Sequence, residues 1–233
     1  MFGRLKDSTA LLRFLKAGGL GETEKNTMKV LMIHGGDKKD GCTGTALDEM
    51  VKVFTSGGIE TEIIFIGNKP VADCMNCHFC STNNRCVIDD VVNEITEKAK
   101  ESDGFVFACP VYYAHPTGRL LSVLDRAFYS ASENFSFKPG VAISSARRNG
   151  QVATMDVLNK YFSINNMPIV SANYWNHVFG AEAREVSEDE EGIATMRNLA
   201  KNMSWLLKCI ELGRENGIAH PENERAYTNF TRR

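Results

Sequence analysis

Short apolar runs recur along the chain and predict five β-strands. Each run is bounded by glycine, proline or polar residues, as buried strands usually are. The run at 105–109 is apolar throughout, which is typical of a central strand in a parallel sheet. The predicted strands are 29–33, 61–66, 105–109, 141–144 and 169–172.

Apolar residues at helical spacing follow the predicted strands. After the first strand, Leu47, Met50 and Phe54 recur at this spacing. After the second, Asp89 and Asp90 precede a helical pattern and are suitable N-caps. Strand and helix alternate five times, which predicts an α/β fold with a doubly wound parallel sheet and helices on both faces.

Three segments stand outside this alternation. Residues 1–27 carry apolar and basic side chains before a glycine-rich stop, and predict an N-terminal extension with a short amphipathic helix. Residues 182–191 are acidic and predict an exposed connection. Residues 216–233 are polar and predict a tail against a partner surface, which leaves 28–215 as the folded domain.

Composition narrows the class of protein. The chain has 233 residues, 43% of them hydrophobic, so it is long enough to bury a full core. A net charge of -2 gives no reason to expect nucleic acid or an acidic membrane as a partner. Seven cysteines without an apparent secretion signal indicate a reducing cytoplasm rather than a disulfide scaffold.

The most specific pattern is a cysteine-rich segment at 74–86. Its four cysteines, Cys74, Cys77, Cys80 and Cys86, have the spacing C-x2-C-x2-C-x5-C. Four closely spaced thiolates are typical ligands of an iron–sulfur cluster. Structural zinc and metal-free redox thiols remain alternatives, although zinc usually takes two separated pairs of cysteines.

A glycine-rich loop at 34–45 joins the first predicted strand to the first helix. Backbone N–H groups and the helix dipole converge on an anion at such a position. The loop matches neither G-x-G-x-x-G nor a Walker sequence, so its glycines could equally serve only the turn. In a parallel sheet, the loops that follow the strands leave from one edge. Four of the loops described here share that edge, which favours a single site: the glycine-rich loop, the cysteine segment, and the loops after the third and fourth strands.

Taken together, these loops resemble the NADPH-dependent FMN reductase family. The resemblance rests on the loop 35–45, the cysteine segment with Val87-Ile88-Asp89-Asp90, the Pro110-Val111-Tyr112-Tyr113 turn and the terminal Thr228-Asn229-Phe230. The compact cysteine motif resembles the iron–sulfur flavoproteins within that family. The resemblance implies a flavodoxin-like sheet of order 2-1-3-4-5 and assembly as a homodimer or homotetramer.

The resemblance also implies the site residues. A [4Fe–4S] cluster would be held by Cys74, Cys77, Cys80 and Cys86. FMN phosphate would lie in the glycine-rich loop, and the flavin ring between the aromatic turn and the 145–150 loop. The implied FMN contacts are Gly36, Lys38, Gly41, Cys42, Thr43, Thr45, Pro110, Val111, Tyr112, Tyr113, Ser145, Ala146, Arg147 and Gly150. Gly36 and Cys42 stand where relatives commonly have Ser and Asn, so fewer side chains would contact the phosphate.

Several further residues have a simple structural interpretation. His115 is a candidate proton donor near the ring, with a loop hydrogen bond as the default. His78 is expected to lie outside the set of ligands, because four thiolates suffice. The cysteines outside the segment, Cys42, Cys109 and Cys209, are expected to be small buried hydrophobic residues.

Three functions are compatible with these features. The first is an FMN oxidoreductase that moves electrons between a pyridine nucleotide or ferredoxin-like donor, the flavin, the cluster and a small-molecule or protein acceptor. The second is a cluster-free NAD(P)H-dependent reductase of flavins, quinones, or nitro or azo compounds. The third is a non-enzymatic electron carrier or a zinc-stabilised binding protein.

Overall fold

Five parallel strands form the centre of the protein, in a computed structural model that describes residues 27–224, 226, 228 and 230. Their order is β2-β1-β3-β4-β5, and every pairing is parallel. This confirms the predicted flavodoxin-like topology. The strands are β1 (Lys29–His34), β2 (Glu60–Phe65), β3 (Gly104–Pro110), β4 (Gly140–Ala146) and β5 (His177–Phe179).

Helices connect the strands and cover both faces of the sheet. Asp90 is the N-cap of the helix after the cysteine segment, because its carboxylate accepts from the Val92 N–H at 3.1 Å. No helix within the described part of the chain is both long and apolar enough to cross a membrane. The helices are α1 (Cys42–Ser56), α2 (Cys80–Asn83), α3 (Val91–Lys100), α4 (Gly118–Ala131), α5 (Gln151–Ile164), α6 (Ala183–Glu188) and α7 (Glu190–Glu215).

The core has two layers because successive strand residues point to opposite faces. In β1, Val30 and Met32 pack with α1 and α7, whereas Leu31 and Ile33 pack with α3 and α4. All four side chains are fully buried. With both faces covered, a ligand can approach the sheet mainly at the ends of the strands and at the loops that leave them.

The position of the fifth strand differs from the prediction of 169–172. Ile169 makes only an isolated parallel bridge with Gly140, at the start of β4. The chain then leaves the sheet, exposes Tyr174 and Trp175, and returns to pair His177 with Ser144. An edge strand has only one neighbour to hold it, so a local detour breaks few hydrogen bonds.

The two acidic and polar segments also differ in part from expectation. The predicted connection at 182–191 contains α6, which buries Val186 against the core, and the first turn of α7. In the tail, His220 stacks on Phe137 of the same chain, with ring centroids 4.1 Å apart. The predicted extension at 1–27 lies outside the described residues, apart from Thr27.

We predict that Gly140→Ala destabilises the fold. A Cβ at this position would lie 2.4 Å from Cδ1 of the buried Phe162 ring. Such crowding costs about 1–3 kcal/mol, because the ring cannot move without disturbing the core. Urea denaturation measures the effect. Gly118→Ala is the matched control, since nothing lies within 4 Å of its Cβ, and equal midpoints for the two variants would contradict the prediction.

Candidate functional site

The glycine-rich loop ends at the N-terminus of α1, where no side chain of the described residues caps the helix. Gly41 is the N-cap residue and offers no side chain, and the first turn contains no acidic residue. The first N–H groups of a helix have no intrahelical partner, and the helix dipole favours an anion there. This end of the 15-residue helix is therefore suited to bind a phosphate group.

His34 lies buried beneath this loop at the end of β1. Its Nδ1 accepts from the Gly36 N–H at 3.0 Å, and its Nε2 has no hydrogen-bond partner among the described residues. Burial lowers the pKa of His34 below its ordinary value of 6.5, so the ring is neutral at pH 7. The neutral ring is the form whose Nδ1 can hold the loop.

Two contacts tie the loop to the carboxyl ends of its neighbours. The hydroxyl groups of Thr43 and Ser145 are 3.0 Å apart and buried. The Cys42 thiol donates to the Gly180 carbonyl at 3.5 Å, and the Gly180 N–H donates to Ala146. These bonds bring the phosphate-type loop, the end of β4 and the segment after β5 together.

A cleft of about 500 Å³ opens between these segments. Nine of the expected FMN contacts line it, and two basic side chains, Lys38 and Arg147, are among them. The expected residues in its wall are Lys38, Gly41, Cys42, Thr43, Pro110, Val111, Ser145, Ala146 and Arg147. No sequence pattern pointed to the segment after β5, yet the cleft is also lined by Gly180, Ala181, Glu182, Ala183 and Arg184.

The aromatic turn projects away from this cleft. Tyr112 is half exposed and Tyr113 is fully exposed, and neither lines the cleft. Tyr113 and Ala114 have φ values of 51° and 58°, and the Tyr112 N–H donates to the His115 carbonyl at 2.9 Å. The expected ring contacts of the two tyrosines therefore stay predictions.

Three other expected residues act within the loops rather than in the wall of the cleft. Gly36 donates to His34, and the Thr45 hydroxyl donates to the Gly41 carbonyl at 3.1 Å. Gly150 has φ 98°, and a Cβ there would lie 2.6 Å from Val111. His115 is exposed, and its Nδ1 lies 3.1 Å from the Pro116 carbonyl, which is the default loop contact.

Only one of the three isolated cysteines is buried as expected. Cys109 is fully buried, and burial raises the pKa of its thiol to about 12. It is therefore a neutral packing residue. The expectation is wrong for Cys42, which is half-buried in the cleft, and for Cys209, which is exposed on α7.

The four clustered cysteines line a second cavity, of about 190 Å³. One residue with left-handed backbone lies in each interval between them: Asn76, His78 and Asn84, with φ of 51°, 59° and 49°. Such residues reverse the chain, so the thiols can face a common space. The buried Arg126 of α4 lies in the wall and donates to the Cys86 sulfur at 3.2 Å.

The donor set fits an iron–sulfur cluster, but the four sulfurs are not gathered into a closed site. Cys74 and Cys77 are exposed, and Cys80 and Cys86 are half-buried. Within residues 27–224 and the described tail positions, no three His, Cys, Asp or Glu side chains are grouped to hold a metal ion.

The two cavities are also separate. They share no lining residue, and Cys86 packs against the α3–α4–α5 layer whereas Cys42 packs against the α1–α7 layer. The expectation of one site along a single rim is therefore not met within one chain. The reason is that the cysteine segment runs along α4 and is held there by Arg126.

Solved structures with the same architecture define the fold class. An archaeal flavodoxin superposes with a TM-score of 0.54 at 10% identity, covering 78% of this chain and 99% of the other. The flavoenzyme NAD(P)H:(acceptor) oxidoreductase of Paracoccus denitrificans superposes with a TM-score of 0.58 at 14% identity, covering 78% of this chain and 98% of the other. The chain is thus a flavodoxin-like α/β protein.

Sequence comparison then defines the family. Residues 28–182 match the NADPH-dependent FMN reductase family. An iron–sulfur flavoprotein of Methanocaldococcus jannaschii is 30% identical over 195 residues, which cover 79% of this chain and 100% of the relative. An iron–sulfur flavoprotein of Methanosarcina thermophila is 30% identical over 192 residues, which cover 81% of this chain and 100% of the relative. The chain belongs to the NADPH-dependent FMN reductase family, and its named relatives are iron–sulfur flavoproteins.

We predict that the flavin-free protein loses stability as the pH falls below 6.5. Burial lowers the pKa of both His34 and His177, so the unfolded chain binds protons more readily than the folded one. The free energy of unfolding should fall by up to about 1.4 kcal/mol per pH unit for each histidine. The loss begins near their ordinary value and continues toward their lower folded-state values.

Urea denaturation between pH 7.5 and 5.5 tests this, because this range spans the ordinary pKa of histidine and lies above that of a free carboxyl group. A double variant, His34→Gln with His177→Gln, should lose most of the pH dependence. A wild-type curve that is flat across this range would contradict the assignment of neutral, buried rings.

Proposed function

We propose that the protein is an FMN-dependent oxidoreductase that also carries a [4Fe–4S] cluster. The observation that carries the flavin part is the uncapped N-terminus of α1 at one end of a 500 Å³ cleft. Family membership supports the same cofactor. The cytoplasm is the proposed location, since clustered thiols persist in a reducing compartment.

In this proposal the α1 N-terminus binds the FMN phosphate. Backbone N–H groups of the first turn would donate to the phosphate, and Lys38, which lines the cleft together with Asp37 and Asp40, supplies a positive charge. Pro110 and Val111 form the apolar wall for the flavin ring, and the 145–147 segment lies on the other side. The bound flavin would accept and pass on electrons, while the chain binds and orients it.

The four clustered cysteines would hold the [4Fe–4S] group, which supplies one-electron transfer. Their common cavity, the chain reversals between them and the guanidinium donor to Cys86 support this assignment. Iron–sulfur flavoproteins at 30% identity over nearly their whole length support it too.

A second candidate is a cluster-free NAD(P)H-dependent reductase of flavins, quinones, or nitro or azo compounds. It is favoured by the exposure of Cys74 and Cys77 and by the open arrangement of the thiols among the described residues. Iron and acid-labile sulfide, measured on anaerobically purified protein, separate the two candidates.

The donor is proposed to be a pyridine nucleotide or a ferredoxin-like protein, and the acceptor a small molecule or protein. Bleaching of the bound flavin by NADPH without oxygen would support the first donor. A homodimer or homotetramer is part of the proposal, since the fully exposed Tyr113 ring is suited to cover by a second copy. Light scattering tests the assembly.

We predict that Gly44→Ala weakens FMN binding at least about tenfold, which corresponds to about 1.4 kcal/mol. A Cβ at this position would lie 2.1 Å from the Lys39 carbonyl oxygen, so the phosphate-binding loop would have to shift. Quenching of FMN fluorescence by flavin-free protein measures the affinity. The Gly118→Ala control should bind FMN as the wild type does, and so should Gly44→Ala if the cleft is not the FMN site.

We predict that Cys77→Ser abolishes the cluster and leaves FMN bound. The wild type should contain about four iron atoms per subunit. The variant should keep its flavin, because the cysteine cavity shares no residue with the cleft. Cys209→Ser is the matched control, as this thiol is exposed on α7. Joint loss of flavin and iron would show instead that the cysteine segment is chiefly structural.

A further inference from the structure

Arg126 is a buried charge that the sequence patterns did not single out. It lies in the second half of α4, with only 1% of its surface exposed. A guanidinium removed from water is costly unless each of its donors finds an acceptor. Its partners therefore indicate what this position does.

All five N–H donors of Arg126 are used. The two terminal nitrogens donate to the two carboxylate oxygens of Asp90, at 2.7 and 2.9 Å. They also donate to the carbonyls of Ala72 and Ile88, at 3.2 and 3.1 Å. The fifth donor, Nε, points to the Cys86 sulfur at 3.2 Å. A lysine could not reproduce this planar fork.

These partners lie at both ends of the cysteine segment. Ala72 precedes Cys74, whereas Cys86, Ile88 and Asp90 end the segment and begin α3. One side chain thus brings together the entry and the exit of the loop. The entropy of closing this loop is lost when the chain folds, before any metal binds.

Cys86 is held from a second side by Asn93 of α3, which is 8% exposed. The side-chain Oδ1 of Asn93 accepts from the Cys86 N–H at 3.0 Å, and its Nδ2 donates to the Cys86 carbonyl at 3.1 Å. Cys74 and Cys77, by contrast, are exposed. The four thiols are therefore unequal, with one anchored and the others less constrained.

We propose that Arg126 is a positioning residue for the cluster. It preforms the Cys86 end of the site, and its N–H···S bond to this ligand would favour the reduced form of a bound cluster. The inference rests on the proposed function. Hydrogen bonds and charge near a cluster sulfur raise its reduction potential, and partners that orient ligands commonly affect metal affinity 10–100-fold.

The test compares Arg126→Gln and Arg126→Lys with the wild type. Arg85→Lys is the matched control for iron content and potential, because Arg85 is exposed in the same segment and its ion pair among the described residues is with Asp89. Three quantities are measured: iron and sulfide per subunit, the reduction potential of the cluster, and the rate of tryptic cleavage after residue 85 in cluster-free protein. Flavin content and circular dichroism report whether each variant folds.

We expect Arg126→Gln to retain flavin, lose most of its iron, and be cleaved after Arg85 at least tenfold faster than the wild type. Any cluster that remains should have a more negative potential. Arg126→Lys keeps the charge but not the fork, so its potential should lie near that of the wild type while cleavage is faster. The Arg85→Lys control should match the wild type in iron content and reduction potential. Its cleavage rate is not compared, because residue 85 is itself the cleaved position.

Wild-type iron content, potential and cleavage rate in Arg126→Gln would overturn the inference. If that variant does not fold, hydrogen exchange in cluster-free wild type decides. The Cys86 amide should be protected, and free exchange there would exclude a preformed end. Should the wild type itself contain flavin but no iron, the cluster assignment fails, while the cleavage rates still test whether Arg126 closes the loop.

Discussion

Burial of the parallel sheet on both faces is the constraint on which the rest of the structure depends. Val30 and Met32 enter one layer and Leu31 and Ile33 the other, so no strand face is available to a ligand. Groups that a ligand can reach are consequently found mainly at the strand ends and in the loops, and parallel strands bring several of these loops to one edge. The cleft at the α1 N-terminus follows directly from this arrangement.

Helix α4 links the two candidate sites, although they lie against opposite layers. At its start, the Thr117 hydroxyl donates to the Gly35 carbonyl at 3.0 Å, and Arg119 donates to Gly36 at 3.4 Å. Further along, Arg126 holds the cysteine segment. Between them, Leu120 and Leu124 fix the helix in the core. A displacement of α4 would therefore move both the glycine-rich loop and the cysteine segment.

The sequence was sufficient for the sheet, since strand order and helix positions follow from alternating patterns and from family resemblance. It was sufficient for the glycine-rich loop as well, because strand, glycines and helix are contiguous there. The sequence pattern did not place the fifth strand correctly, because the apolar run at 169–172 makes only one isolated bridge at the edge of the sheet. Local pattern does not record how many neighbours a strand has.

The same limit applies to the partners of the cysteines. Arg126 lies 40 residues from Cys86, and its sequence context within an amphipathic helix does not indicate that its side chain is buried or what it binds. Asn93, in the first turn of α3, likewise reads as an ordinary helix residue. Both become informative only when the chain folds, because the hydrogen-bond partners around a buried polar group decide whether it is tolerated.

Backbone strain at the aromatic turn is supported by the close packing of Gly150 and by the hydrogen bond from the Tyr112 N–H to the His115 carbonyl. Tyr113 and Ala114 are left-handed, which costs roughly 1–2 kcal/mol per residue and requires support from the surroundings. Gly150 packs so closely that a Cβ would lie 2.7 Å from the Ala114 Cα. The Val111 N–H in turn donates to Ser145 at 2.9 Å. The wall of the cleft and the strained turn are thus one unit, since neither loop can move without displacing the other.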